Sequence, residues 1–305
     1  MIMLLRRVLA ICLLVFCAVA SSLHAQQSRI NVVTTFSILA DFARNVGGDL
    51  VNVTSLVGPD SDTHVYTPAP SDAEKITKAK LVIVNGLGLE GWLPRLIQSS
   101  GDKAVMVVVT KGITPRNIAA GKRGGDERGG EADPHAWQSV PNAKIYVANI
   151  RDALIAADPV GAQVYRANAD AYLARLDVLD REVRDMVEKI PPARRSVIST
   201  HDAFGYFAVA YGVHFIAPQG VSTEAEPSAR DIASIITQIK KQQIPAVFLE
   251  NISDPRMMRR IAAETGAKIG GTLYSDSLTG ENGEAPTYID MVRHNIRALT
   301  SALSG

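Results

Sequence analysis

Three histidines stand in segments that turn. His64 lies in Gly58-Pro59-Asp60-Ser61-Asp62-Thr63-His64-Val65-Tyr66-Thr67-Pro68, His135 in Asp133-Pro134-His135-Ala136-Trp137, and His201 in Ser199-Thr200-His201-Asp202-Ala203-Phe204-Gly205-Tyr206. Imidazole nitrogen suits zinc and its first-row neighbours, and a carboxylate oxygen often completes such a set. Asp276, in Leu273-Tyr274-Ser275-Asp276, is a carboxylate placed in the same way, just past an extended run. Taken singly, each histidine is better explained as a surface or hydrogen-bonded loop residue. Taken together, three imidazoles and one carboxylate suit a four-coordinate Zn2+ ion, one per chain. His214, inside an apolar run, and His294, beside Met291, Ile296 and Leu299, read instead as structural.

Both cysteines, Cys12 and Cys17, fall within the first 25 residues, so a metal site beyond them must use nitrogen and oxygen. That opening stretch has Arg6 and Arg7, an apolar run over 8–20 and small residues up to Ala25. It reads as a secretory signal peptide, 1–25, cleaved after Ala25 or alternatively after Ala20. A lasting membrane anchor needs about 20 apolar residues, and Phe16 before Cys17 argues against lipid anchoring at Cys17. The expectation is a periplasmic protein with no transmembrane segment. Lys and Arg number 32 against 31 Asp and Glu, and without Arg6 and Arg7 the balance is about −1. A near-neutral chain offers no basic surface for nucleic acid or for an anionic membrane.

The elements that must position these side chains alternate in kind. Residues 30–36, 51–57, 81–85 and 105–109 read as strands separated by amphipathic stretches, and 195–200, 213–216, 246–250 and 268–273 repeat the pattern. The fold class is therefore α/β: two parallel-sheet lobes, 26–157 and 191–305. Between them Asp158-Pro159 opens, and Pro191-Pro192 closes, a stretch in which Tyr165, Tyr172, Leu176, Leu179, Val183, Met186 and Ile190 recur at helical steps. One rigid helix over about 159–189, roughly 45 Å long, is expected to link the lobes within 158–190. His64, His201 and Asp276 each follow a strand, and open α/β sheets bind ligands off the carboxyl ends of their strands. Each lobe thus offers two ligands to one cleft. Residues 116–131, rich in glycine and charge, read as a mobile loop. Gly86-Leu87-Gly88-Leu89-Glu90-Gly91 has the spacing of a dinucleotide fingerprint, but no acid ends the next strand, and a tight turn explains its glycines.

The segments around His64, His135 and His201, with Asn85-Gly86-Leu87-Gly88-Leu89-Glu90-Gly91-Trp92-Leu93 and Ser222-Thr223-Glu224-Ala225-Glu226-Pro227-Ser228, resemble the cluster A-I solute-binding proteins of zinc and manganese ABC importers. The resemblance implies two α/β lobes on one rigid helix, metal ligands at His64, His135, His201 and Asp276, and delivery of the ion to a membrane permease by a monomer. Manganese-specific relatives carry a carboxylate where this chain has His201, so the resemblance favours zinc, with Mn2+ the alternative. Many zinc-binding relatives have a His-rich loop before the second ligand. The loop here has none; its Asp126, Glu127 and Glu131 read first as part of a solvated charged insertion, with a weak fifth contact or a gate as the alternative.

Glu250, on the same sheet edge as His201 and Asp276, reads either as a partner that orients a ligand histidine or as half of an ordinary salt bridge. A secreted zinc hydrolase is the rival class. It would need three protein ligands, a metal-bound water and a general base, and no H-E-x-x-H helix or nucleophile elbow is present. The protein is expected not to be an enzyme.

Overall fold

A computed structural model describes residues 29–101, 105–118 and 132–304, and the signal-peptide reading of 1–25 lies outside them. Its strands form two parallel sheets. β1 (Ile30–Thr34), β2 (Val51–Ser55), β3 (Leu81–Val84) and β4 (Met106–Val108) run in the order β2-β1-β3-β4. β5 (Ser196–Ile198), β6 (His214–Ile216), β7 (Ala246–Glu250) and β8 (Lys268–Leu273) repeat that order as β6-β5-β7-β8. The central strand β3 is buried at all four positions, as expected where crossover helices cover both faces of a parallel sheet.

Several strands stop short of the lengths read from sequence. The expected 195–200 is a continuous strand only over Ser196–Ile198: the Ser199 N–H still donates to the Ile216 carbonyl (3.0 Å) and the Thr200 carbonyl accepts the Gln219 N–H (3.3 Å), but the Thr200 N–H turns to the Glu250 carboxylate (2.7 Å). The expected 30–36 ends at Thr34. Past Thr34, too, single backbone bonds persist, from the Thr35 N–H to the Ile83 carbonyl (3.1 Å) and from the Val57 N–H to the Thr35 carbonyl (2.9 Å), so the apolar pattern overstated only the strand ends.

Around the sheets lie α1 (Ser37–Gly47), α2 (Pro70–Thr77), α3 (Leu93–Ser99), α4 (Val140–Ala157), α5 (Ala162–Glu188), α6 (Gly205–Tyr211), α7 (Ala229–Gln242), α8 (Arg256–Thr265) and α9 (Tyr288–Leu303). The long helix α5 has 27 residues, about 40 Å at the α-helical rise. It starts later than expected, because Pro159–Gly161 is a 3-10 turn and the Asp158 carboxylate accepts the Tyr165 hydroxyl (2.7 Å) rather than capping α5. Its buried stripe is Tyr165, Ala169, Tyr172, Leu176, Leu179, Val183 and Val187; Met186, expected on the stripe, is only partly buried.

This helix packs on α1 and α4 of the first lobe and on α6 and α9 of the second. Phe42 of α1 meets Tyr146, Tyr172 and Tyr288 at centroid distances of 5.9, 6.2 and 4.8 Å, which ties α1, α4, α5 and α9 together. The buried apolar residues around α5 form one cluster that includes Val32 and Ile83 of the first sheet and Val197 and Phe248 of the second.

Residues 119–131, including Asp126, Glu127 and Glu131, are outside the described residues. The ends of the expected loop are pinned: Asn117 bridges Ala132, and the Asp133 N–H donates to the Arg116 carbonyl at 2.7 Å. Arg116, read as part of the mobile loop, is instead docked, its N–H on the Tyr206 hydroxyl (2.9 Å) and its guanidinium on Asp133 (2.8 Å).

The glycine-rich segment after β3 is a turn. Gly86, Leu87 and Gly88 all have positive φ, and a Cβ on Gly86 would lie 2.7 Å from Val108. The backbone N–H groups of Asn85 (2.7 Å) and Gly86 (3.1 Å) donate to the Glu90 carboxylate. The anion held by this loop is thus the chain's own side chain. Among the described residues no helix is long and apolar enough to cross a membrane.

Candidate metal centre

The cleft between the sheets brings all four candidate ligands together. His64 is on the connection leaving β2, His135 precedes α4, His201 follows β5 and Asp276 follows β8. One ligand atom from each lies within 4.8 Å of the others, and all four residues are buried. His64 Nε2 is 3.2 Å from His135 Nε2 and 3.2 Å from Asp276 Oδ2, His201 Nε2 is 3.1 Å from Asp276 Oδ2, and His135 Nε2 is 3.6 Å from Asp276 Oδ1. Donors about 2.0–2.1 Å from a tetrahedral zinc ion sit about 3.3 Å apart, so most of these contacts lie near that spacing. Asp276 Oδ1 is buried with no hydrogen-bond partner. An orphaned carboxylate oxygen is costly unless a cation satisfies it.

Two imidazoles are clamped from behind. Glu250 Oε2 lies 2.6 Å from His201 Nδ1, Glu250 Oε1 accepts the Thr200 and His201 N–H groups (2.7 and 3.1 Å), and the Ser275 hydroxyl donates to Oε2 (2.8 Å). Of the two readings of Glu250, the structure therefore shows the orienting one. Asp133 does the same for His135: Oδ1 faces Nδ1 at 2.8 Å and accepts the His135 N–H at 3.0 Å, while Arg116 holds Oδ2. A carboxylate that can only accept fixes a proton on each Nδ1, so when the ring is neutral the lone pair of Nε2 faces the other candidate ligands.

Asp133 escaped the sequence reading although it stands in the quoted Asp133-Pro134-His135. The available signal was its spacing, since an Asp two residues before a histidine can cap that residue's N–H and reach its ring.

The charges in the cluster follow from its enclosure. Burial opposes protonation of His135, but Asp276 and Asp133 outweigh it and raise the imidazole to about 9. Burial likewise opposes a charge on His201, yet Glu250 and Asp276 raise it well above the ordinary histidine range. Burial alone would raise Asp276; His201 and His135 instead hold it well below the usual carboxylate range. One cation could replace those protons.

At the back of the cleft Trp137 packs against His135 (5.2 Å between centroids) and Phe36 (5.0 Å). The Trp137 indole N–H and the Gln138 side chain both donate to the Ser275 carbonyl (2.9 and 2.6 Å), joining the lobes beside Asp276. The structural readings of the other two histidines also fit: His214 lies on β6 with its side chain outward, and His294 on α9 has Nε2 3.0 Å from the Thr272 carbonyl.

The family described as "Zinc-uptake complex component A periplasmic" matches this chain over residues 32–302. "Iron-binding protein YfeA" of Yersinia pestis is 37% identical over 271 residues, covering 89% of this chain and 85% of that protein. "Manganese-binding lipoprotein MntA" of Halalkalibacterium halodurans is 36% identical over 276 residues, covering 90% and 89%. The solved structure of the periplasmic zinc binding protein TroA from Treponema pallidum is similar with a TM-score of 0.83 at 31% identity, covering 91% of this chain and 100% of that chain. With the two-lobed fold and this breadth of matching, the chain belongs to the ZnuA family, whose members include the substrate-binding proteins of metal ABC transporters.

Proposed function

We propose that this protein captures one divalent transition metal ion outside the cytoplasm, with His64, His135, His201 and Asp276 as its ligands, and delivers it to the permease of an ABC importer. The observation that carries this reading is the convergence of four buried donors from both lobes on one point, with Asp276 Oδ1 left unpartnered. Zinc is the favoured cargo, because three imidazoles and one carboxylate form a softer set than one with a second carboxylate. A site supplied with four protein donors favours holding an ion over activating a water, so capture without turnover is the expected activity. The chain acts as a monomer, with 1–25 as its export signal, 26–157 and 191–305 as the lobes, and 158–190 as the link.

A second reading, manganese as cargo, is favoured by the relative named for manganese that matches over 90% of this chain. Metal analysis of the purified protein, followed by zinc against manganese in a chelator-buffered titration, separates the two. Zinc should win, and manganese winning changes the ion but leaves the site. His64→Ala and His201→Ala should each lose most of the affinity. Near-normal binding in either variant would sink the ligand assignment.

A further inference from the structure

The four candidate ligands are neither equally enclosed nor held in the same way. His135, His201 and Asp276 have no exposed surface, whereas His64 keeps 7% of its own. His135 and His201 are gripped through Nδ1 by carboxylates, whereas the backbone N–H of His64 donates to Asp62 Oδ1 at 2.9 Å. The other oxygen of that carboxylate, Oδ2, accepts the hydroxyl of Thr223 at 2.6 Å.

Thr223 belongs to the opposite lobe, on the connection between β6 and α7. That connection is anchored beside His201: the Gln219 N–H donates to the Thr200 carbonyl (3.3 Å) and the Asp202 N–H to the Gly220 carbonyl (3.1 Å). The Gln219 side chain then donates to the Thr223 and Ala225 carbonyls, both at 3.0 Å. A chain of bonds therefore runs from His64 through Asp62, Thr223 and Gln219 to the strand end that carries His201.

Other bonds also cross the cleft from the His64 connection. The Asp60 N–H donates to the Leu278 carbonyl (2.9 Å) and the Ser61 N–H to Ser277 Oγ (3.3 Å). These lead to the segment just after Asp276, further from His64 along the chain. The Thr223 bond is the one that meets the carboxylate fixing His64 itself.

We propose that the Asp62–Thr223 hydrogen bond is a latch over the solvent-facing side of the metal site and sets the rate at which a captured ion leaves. Thr223 is a positioning residue, acting through Asp62 on the backbone of His64, and the inference rests on the capture reading above. For an ion to depart, the ligand nearest solvent must swing outward, and the latch opposes that swing. Loss of a hydrogen bond to a carboxylate should speed release about tenfold or more.

The test compares Thr223→Val, which keeps the shape and removes the hydroxyl, with Thr223→Ser, which keeps the hydroxyl. Zinc release from the loaded full-length protein is followed by stopped flow into excess chromogenic chelator, and the melting temperature of each ion-free variant is measured alongside. Thr223→Val should release zinc about tenfold faster while the ion-free variant still unfolds in one cooperative transition, and Thr223→Ser should stay close to wild type. A wild-type release rate in Thr223→Val, or equal acceleration in both variants, overturns the latch while leaving capture intact. Wild-type protein that takes up neither zinc nor manganese overturns capture itself, and the latch with it.

Discussion

An imidazole can present a lone pair to a cation only if its proton sits on the far nitrogen, so the groups behind His135 and His201 matter as much as the rings. Asp133→Asn and Glu250→Gln should each lower zinc affinity about 10–100-fold, as measured by chelator competition, with one ion per chain still bound at saturation. Unchanged affinity in both would mean that packing alone orients the rings. Protonation makes a second claim on these atoms. The ion-free protein holds a proton on His135 up to about pH 9, and a metal ion must displace it.

Binding at pH 7 should therefore release protons, and affinity should fall as pH drops, by about tenfold per unit for each proton displaced. Titration calorimetry in buffers of different ionisation enthalpy checks this, and a buffer-independent heat would refute it. The ion-free fold responds in the opposite sense: the raised His135 contributes stability fully present below about 6.5 and lost as pH rises through about 9. The four candidate ligands could be picked out because each stands beside turn formers or a strand end. Glu250 remained ambiguous because its grip on His201 spans 49 residues and depends on the neighbouring registers of β5 and β7.

The element that carries most is α5. Its stripe repeats at helical steps, so the helix was readable from sequence, while its first turn was not, since Pro159 permits a 3-10 turn as readily as an α-helical start. Leu176 is fully buried on that stripe. Leu176→Ala should destabilise the protein by about 2–5 kcal/mol, seen as a lower melting temperature by circular dichroism, while zinc stoichiometry stays at one ion per chain. A change in stoichiometry without loss of stability would show that α5 does more than support the lobes. Strand ends were misjudged for a related reason. At Thr200 a β-branched residue looks like strand, but its N–H is taken by Glu250, a partner that no local pattern reveals.

At the scale of the whole molecule, two sheets of identical strand order share one apolar cluster around α5. Thermal unfolding of the ion-free protein should therefore be a single transition, with calorimetric and van't Hoff enthalpies in agreement; two resolved transitions would show that the lobes unfold independently. The two lobes were legible in the repeated alternation of strands and helices. Their mutual bonds were not, because Trp137 to Ser275 and Asp62 to Thr223 join residues 138 and 161 positions apart.

The one-sided enclosure of the ligands has a kinetic consequence. Trp137 and the common core close the back of the cleft, while His64 alone among the four reaches solvent. The cleft is a cul-de-sac, and a newcomer cannot meet the donors while the resident ion holds them. Isotope exchange should thus be dissociative: zinc-loaded protein in a bath of labelled zinc should take up the label at a rate independent of the bath concentration. A crowd of competing ions then has no means of hurrying the occupant out.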